Sequence, residues 1–236
     1  MRKTPSPPLW LVDLDNTLYD ASWRVMGEIN IRMTRYISEL LGLSIEQASR
    51  LREDYWHRYG ATLLGLIAHH GVNAQDFLKA THPNEDLPLF VRPIRGEARR
   101  LSRLKGERWL LTNAPRDYAR HALYLLGLRR FFDRIVTIDD MVVCGRLCPK
   151  PSAHLMRRLL RVSRRKASNV VLIDDHDENL RAARRAGMLT ARIWASKTAK
   201  REARASGRPL SIRRPSYVKV QVNSLASLVR SQHRLA

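Results

Sequence analysis

Five short apolar runs, at residues 9–13, 108–112, 134–138, 170–174 and 190–194, set the strongest limit on how this chain can fold. Each is too short for a helix and too continuously apolar for a strand with one wet face, so each reads as a strand covered on both sides. Between them the apolar period lengthens to that of a helix. Residues 117–126 carry Tyr118, Ala122, Leu125 and Leu126 and stop at Gly127. Residues 152–162 place Leu155, Met156, Leu159 and Leu160 on one face and Arg157, Arg158 and Arg161 opposite. A short Ala-rich helix at 178–186 ends at Gly187. Strands alternating with helices imply βαβ units and an α/β, Rossmann-like parallel sheet flanked by helices. A late alternating strand at 217–222 and a helix at 225–229 complete the pattern.

Residues 21–91 break that rhythm. They read as four helices, at 23–41, 45–55, 62–70 and 74–80, closed by Pro83, Pro88 and Pro93. A helical block inserted directly after the first strand predicts an all-helical cap domain over 21–91, with 1–20 and 92–236 forming the α/β core domain. A chain of 236 residues is long enough for one good core and a smaller accessory domain. Residues 196–215 read as a polar, basic loop.

No apolar run approaches the ~20 residues that a membrane helix needs, and no secretory leader is expected from the N-terminal stretch. Two cysteines, Cys144 and Cys148, cannot make a disulfide framework, which predicts a reduced, cytoplasmic setting. The formal charge of +21 raises the question of nucleic acid. The basic residues are spread along the chain, however, and mostly interrupt helical apolar patterns. They are expected on solvated faces, where they favour anionic substrates, and no nucleic-acid partner is expected. Oligomeric state is not encoded in these features.

Three of the apolar runs end in polar groups suited to a single site: Asp13 and Asp15 after the first, Thr112 and Asn113 after the second, Asp174 and Asp175 after the fourth. Ligands of parallel α/β sheets bind beyond the carboxyl ends of the strands, so these groups should converge. Four carboxylates in one small volume repel unless a cation sits among them, and an oxygen-only set favours Mg²⁺. Lys150, between two prolines, is the natural counter-charge. Each piece alone has a plainer reading, as a turn residue, a helix cap or a solvated lysine. The order and spacing of all four carry the argument.

Those motifs, with 13–17 as Asp-Leu-Asp-Asn-Thr, resemble the haloacid dehalogenase superfamily of phosphohydrolases, in the subgroup with a helical cap after the first strand. The similarity runs from about residue 9 to 229. The stretch 59–66, Tyr-Gly-Ala-Thr-Leu-Leu-Gly-Leu, is most similar to the pyrimidine 5′-nucleotidase-like branch. The resemblance implies a phosphomonoesterase for a small phosphate ester. Asp13 would be the nucleophile that forms an aspartyl-phosphate, and Asp15 the general acid and base. Thr112 and the Asn113 backbone would hold phosphoryl oxygens, with Lys150 neutralising charge. Mg²⁺ would sit on Asp13, the Asp15 carbonyl, and Asp174 or Asp175. In the cap, Tyr59, Gly60 and Thr62 would meet the leaving half of a nucleoside monophosphate. A phosphomutase would share all four motifs. A dehalogenase would need neither the metal nor the second acid. A basic nucleic-acid-binding protein on a retired scaffold would have no chemical reason to keep the acidic set.

Overall fold

The computed structural model describes residues 7–93, 96–194 and 214–235. The basic loop expected at 196–215 lies, up to residue 213, outside the described residues. Six parallel strands form one sheet: β1 (Leu9–Val12), β2 (Glu107–Leu111), β3 (Arg134–Val136), then after an intervening hairpin β6 (Val170–Asp174), β7 (Leu189–Ile193) and β8 (Val220–Val222). Their order is β3-β2-β1-β6-β7-β8. The hairpin pairs β4 (Val142–Val143) with β5 (Arg146–Leu147) antiparallel.

Alternation along β1 shows why the strand is apolar throughout. Leu9 and Leu11 pack on one face with Met156 and Leu159 of α8 (Ala153–Ser163) and Leu180 of α9 (Asp177–Arg185). Trp10 and Val12 pack on the other with Tyr118 and Leu123 of α7 (Arg116–Leu125) and Leu228 of α10 (Leu225–Ser231). The chain lays β2 and β3 on one side of β1, then returns to place β6 on the other. The gap between β1 and β6 is therefore the topological switch point, where such sheets bind ligands. Val12 pairs with Ile173, and Asp13 donates its N–H to the Ile173 carbonyl at 2.9 Å, so the register brings Asp13 beside Asp174.

Between β1 and β2 lie α1 (Val25–Leu41), α2 (Ile45–Tyr59), α3 (Thr62–His70), α4 (Ala74–Thr81), α5 (Leu87–Phe90) and α6 (Glu97–Leu101). The first four share their own apolar centre of Ile37, Ala48, Leu63, Leu66, Phe77 and Leu78, which Ile138 joins from beyond β3. Ser44 starts α2 with a reciprocal capping box to Gln47. Gly65 sets how closely α3 approaches α2, since a Cβ there would lie 2.4 Å from Cγ of Tyr55. The clash is with the root of the ring, not its flexible end. Gly65→Ala is expected to lower unfolding stability by about 1–3 kcal/mol in a denaturant titration, and an unchanged midpoint would show that the Tyr55 ring can swing away.

Pro88 does not terminate the helical block. It occupies the first turn of α5, where its missing N–H is no loss. The expected strand at 217–222 is ordered as a strand only over Val220–Val222. Among the described residues no helix is long and apolar enough to cross a membrane.

Candidate active site

Lys150 is the centre of the site. Its buried ammonium donates to Asp13 Oδ1 at 2.6 Å and to Asp174 Oδ2 at 2.8 Å. The lysine is held by Asn113, whose Oδ1 accepts from the Lys150 N–H at 2.9 Å while its Nδ2 donates to the Lys150 carbonyl at 3.0 Å. That two-point clamp ties the end of β2 to the Lys150 loop. Thr112 is buried and its Oγ1 accepts from the Ala114 N–H at 3.1 Å, which fixes the turn between them.

Asp174 has its oxygens committed. Oδ1 accepts from the His176 N–H and from Asn179 Nδ2, both at 2.9 Å, while Oδ2 accepts from Asn179 Nδ2 at 3.0 Å and from Lys150. Asp13, Asp174 and Asp175 can each bring an oxygen within 4.8 Å of the others. Burial raises Asp13 to about 7, with Lys150 opposing and Asp174 and Asp15 adding to the rise. Burial likewise raises Asp175 to about 8, helped by Asp13 and Asp174 and opposed by Lys150. For Lys150 burial acts downward, but Asp13 and Asp174 overcome it and its pKa is raised. One ammonium therefore does not balance this cluster. An all-oxygen donor set short of positive charge fits Mg²⁺.

Asp15 sits on the other side of the turn. Its Oδ1 accepts from Tyr19 Oη at 2.5 Å and from Tyr118 Oη at 3.0 Å, and the two hydroxyls meet at 2.6 Å. Burial raises the Asp15 pKa, while the two tyrosine hydrogen bonds pull it down. Sequence reasoning missed this clamp, because Tyr118 reads as one more apolar position on the inner face of α7. His82, after α4, lays its ring against Tyr118 at 5.5 Å between centroids; burial lowers its pKa to about 4, so the imidazole is neutral.

Above these groups lies a cavity of about 590 Å³, walled by the sheet ends on one side and by α1, α2, α3 and α4 on the other. Of the cap residues expected to meet substrate, Gly60 and Thr62 line it. Thr62 is buried and spends its hydroxyl proton on the Arg52 carbonyl at 2.9 Å. Gly60 has φ +79°, and a Cβ there would lie 3.3 Å from Cδ of Pro151, so glycine permits α2 to end against the Lys150 loop. Tyr59 is not brought to the cavity. Its hydroxyl bonds His69 Nε2 and its ring stands edge-on to Tyr55, because the last turn of α2 directs it toward α3. Gly65 faces Tyr55 for the same reason and not the cavity. The aromatic rings that do line the cavity include Phe77 of α4 and Trp56, the latter in edge contact with His176 beside the Asp174–Asp175 pair. A wider groove beside β8 is lined by Arg214, Lys219, Arg230 and Arg234 and, among the described residues, by no carboxylate.

This arrangement can be set beside known proteins. A protein of Saccharomyces cerevisiae, Phosphate metabolism protein 8, is 28% identical over 200 residues, which is 78% of this chain; the chain spans 60% of the length of that relative. Among solved structures, a HAD phosphatase from Thermococcus onnurineus superposes with a TM-score of 0.61 at 16% identity, covering 95% of this chain and 97% of its own. The HAD-hydrolase YfnB of Bacillus subtilis, bound to magnesium, superposes with a TM-score of 0.58 at 16% identity over 98% of this chain and 99% of its own. These two share the fold. The haloacid dehalogenase-like hydrolase pattern itself matches residues 9–187, from the first strand through the Asp174–Asp175 loop and α9. With most of its length matched, and with each motif at a strand end or in the loop that faces it, the chain belongs to the haloacid dehalogenase-like hydrolase family.

Proposed function

We propose that the chain is a Mg²⁺-dependent phosphomonoesterase that works through an aspartyl-phosphate on Asp13 and acts on pyrimidine nucleoside monophosphates beneath a helical cap formed by residues 21–91. The observation that carries the reading is the Lys150 ammonium held on Asp13 and Asp174 with Asp175 in the same cluster. A buried lysine between carboxylates is expensive unless the pocket serves an anion or cation that arrives later.

Asp13, an oxygen of which forms a bond to phosphorus as the bond to the leaving oxygen breaks, supplies the covalent step. Asp15 starts protonated, gives that proton to the leaving oxygen, and then takes one from the water that hydrolyses the acyl phosphate. Burial favours its protonated form. Tyr19 and Tyr118 occupy Oδ1 and leave the second oxygen to carry the moving proton. Thr112 and the Asn113 backbone receive phosphoryl oxygens, and Lys150 neutralises charge that builds on them. Asp13, the Asp15 carbonyl and Asp175 would hold the metal. Asp174 already accepts four hydrogen bonds, which fills a carboxylate's capacity, so its part is to fix Lys150 and the loop. When bound, Mg²⁺ supplies the positive charge that draws the phosphoryl group and Asp13 together.

Support for the substrate comes from the likeness of 59–66 to pyrimidine nucleotidases and from a cavity with an aromatic ring and an apolar wall. The test is a panel of phosphate esters assayed with Mg²⁺. UMP or CMP is expected to show a higher kcat/KM than AMP, glucose 6-phosphate or phosphoglycolate. A sugar phosphate or phosphoglycolate ahead of both would end the nucleotidase assignment. In EDTA turnover is expected to stop and to return with added Mg²⁺; undiminished activity in chelator would remove the metal from the mechanism.

A further inference from the structure

One stripe of α1 faces the cavity: Met26, Ile29, Asn30 and Met33, spaced as neighbours on one helical face. Three of these are apolar. Asn30 is the exception, and an amide in an apolar wall needs partners. Its Oδ1 accepts from Arg52 Nη1 at 3.1 Å. A guanidinium has only donors, so this contact fixes which end of the amide is the oxygen. The other end of the amide is therefore the Nδ2 donor, and among the described residues it donates no hydrogen bond, in a residue that lines the cavity. Arg52 is in turn set from two sides. Its Nη2 donates to Glu53 Oε1 at 2.7 Å, and its carbonyl accepts from Thr62, which stitches α1, α2 and α3 together at one level of the cavity. Its Nε is buried without a partner, so its placement is maintained at some expense.

The result is a donor in an apolar wall, backed by a cation whose charge Glu53 already offsets. Such a spot suits a neutral acceptor more than a second anion. We infer that Asn30 reads a ring carbonyl of the leaving group, through its Nδ2, and that Arg52 is the positioning residue that holds the amide in that sense. The inference rests on the nucleotidase reading of the same cavity. The carbonyl is one that uracil and cytosine share and that adenine and a bare sugar phosphate lack. The neighbouring apolar stripe of α1 provides the surface on which the ring lies.

The test compares UMP, AMP and ribose 5-phosphate in Asn30→Leu and Asn30→Asp. Asn30→Leu keeps the volume and removes the donor. Asn30→Asp keeps the contact to Arg52 and replaces the donor by an acceptor, so it serves if the leucine variant folds poorly. In both, the loss of kcat/KM on UMP is expected to exceed that on AMP and ribose 5-phosphate by about tenfold or more, and to fall mainly on KM, as for a site that has lost a hydrogen bond to substrate. Arg52→Met is expected to reproduce the same KM pattern, and Arg52→Lys, which still reaches the Asn30 oxygen as a donor, to restore part of it. Equal losses on all three esters would mean a structural role and would overturn the subsite. Phosphoglycolate is assayed alongside as a carboxylate control; a larger loss on it than on UMP would show a carboxylate reader and would also overturn the subsite. No UMP turnover by the unsubstituted enzyme overturns the nucleotidase reading and the subsite with it. UMP turnover that both Asn30 variants leave intact overturns the subsite alone.

Discussion

Asp13→Asn is expected to abolish turnover, lowering kcat by about a thousandfold or more, because an amide is a poor nucleophile toward phosphorus. The fold should survive. Asp13 lies in a cluster with too little positive charge, and its burial already favours a neutral form. An amide of the same shape removes one source of repulsion with Asp174 and Asp175 and keeps an oxygen for Lys150. The thermal midpoint without metal should therefore equal or exceed that of the unsubstituted protein. Asp15→Asn separates the two acid roles. It should slow esters with poor leaving groups strongly and a nitrophenyl ester less, since a phenolate leaves without a proton. If purified Asp13→Asn keeps more than a few percent of activity, the covalent step is wrong.

How much of this could be read from the residues differs between sheet and site. β1 and β6 were legible because burial on both faces removes every polar residue until the chain emerges at the carboxyl end. β2 was legible because its last three residues before Thr112 are apolar and buried, whereas β7 keeps Thr190 and Arg192 within an otherwise apolar strand. The first polar residue after each run then marks the site, and this is how Asp13, Thr112 and Asp174 identify themselves. The short elements were not legible. The β4–β5 hairpin pairs two residues on each strand, too few to show a period, and α5 is a single turn around Pro88. In the cap, Tyr59 was a reasonable candidate because an aromatic beside Gly60 suits a ligand. Packing at the end of α2 decides otherwise: Trp56 meets His176 and lines the cavity, whereas Tyr59 packs with Tyr55 and bonds His69 of α3. The partnerships of Asn30 with Arg52 and of Asp15 with Tyr118 join residues far apart in sequence, and only packing of the helices creates them. The spread of basic residues left their charge without a role in the phosphoryl site, where the cation that lies among the carboxylates is Lys150.

Lys150→Met is expected to produce the second large effect, and it tests the electrostatic account as a whole. Methionine fills a similar volume without charge, so the change isolates the ammonium. Turnover should fall by about a hundredfold or more, since the donor that meets developing charge is gone. Stability should fall as well, by up to about 3–5 kcal/mol when the neighbouring carboxylates are ionised, because they are then buried with no counter-charge. The sign of the pH dependence follows from the raised values of Asp13 and Asp175. Lys150 lowers both, so its removal moves them higher still. Carboxyls whose folded pKa lies above the unfolded value lend stability while protonated and lose it as pH rises through the folded value. The deficit of the variant against the unsubstituted protein should therefore be small near pH ~6 and grow toward pH ~9. Mg²⁺ should recover much of that deficit at the higher pH, because a divalent cation bound by Asp13 and Asp175 replaces the missing charge, yet it should not restore turnover. Denaturant unfolding at both pH values, with and without Mg²⁺, measures this directly. A deficit that is equal at the two pH values and indifferent to Mg²⁺ would mean that Lys150 contributes packing alone, and that the carboxylates around it do not share one electrostatic site.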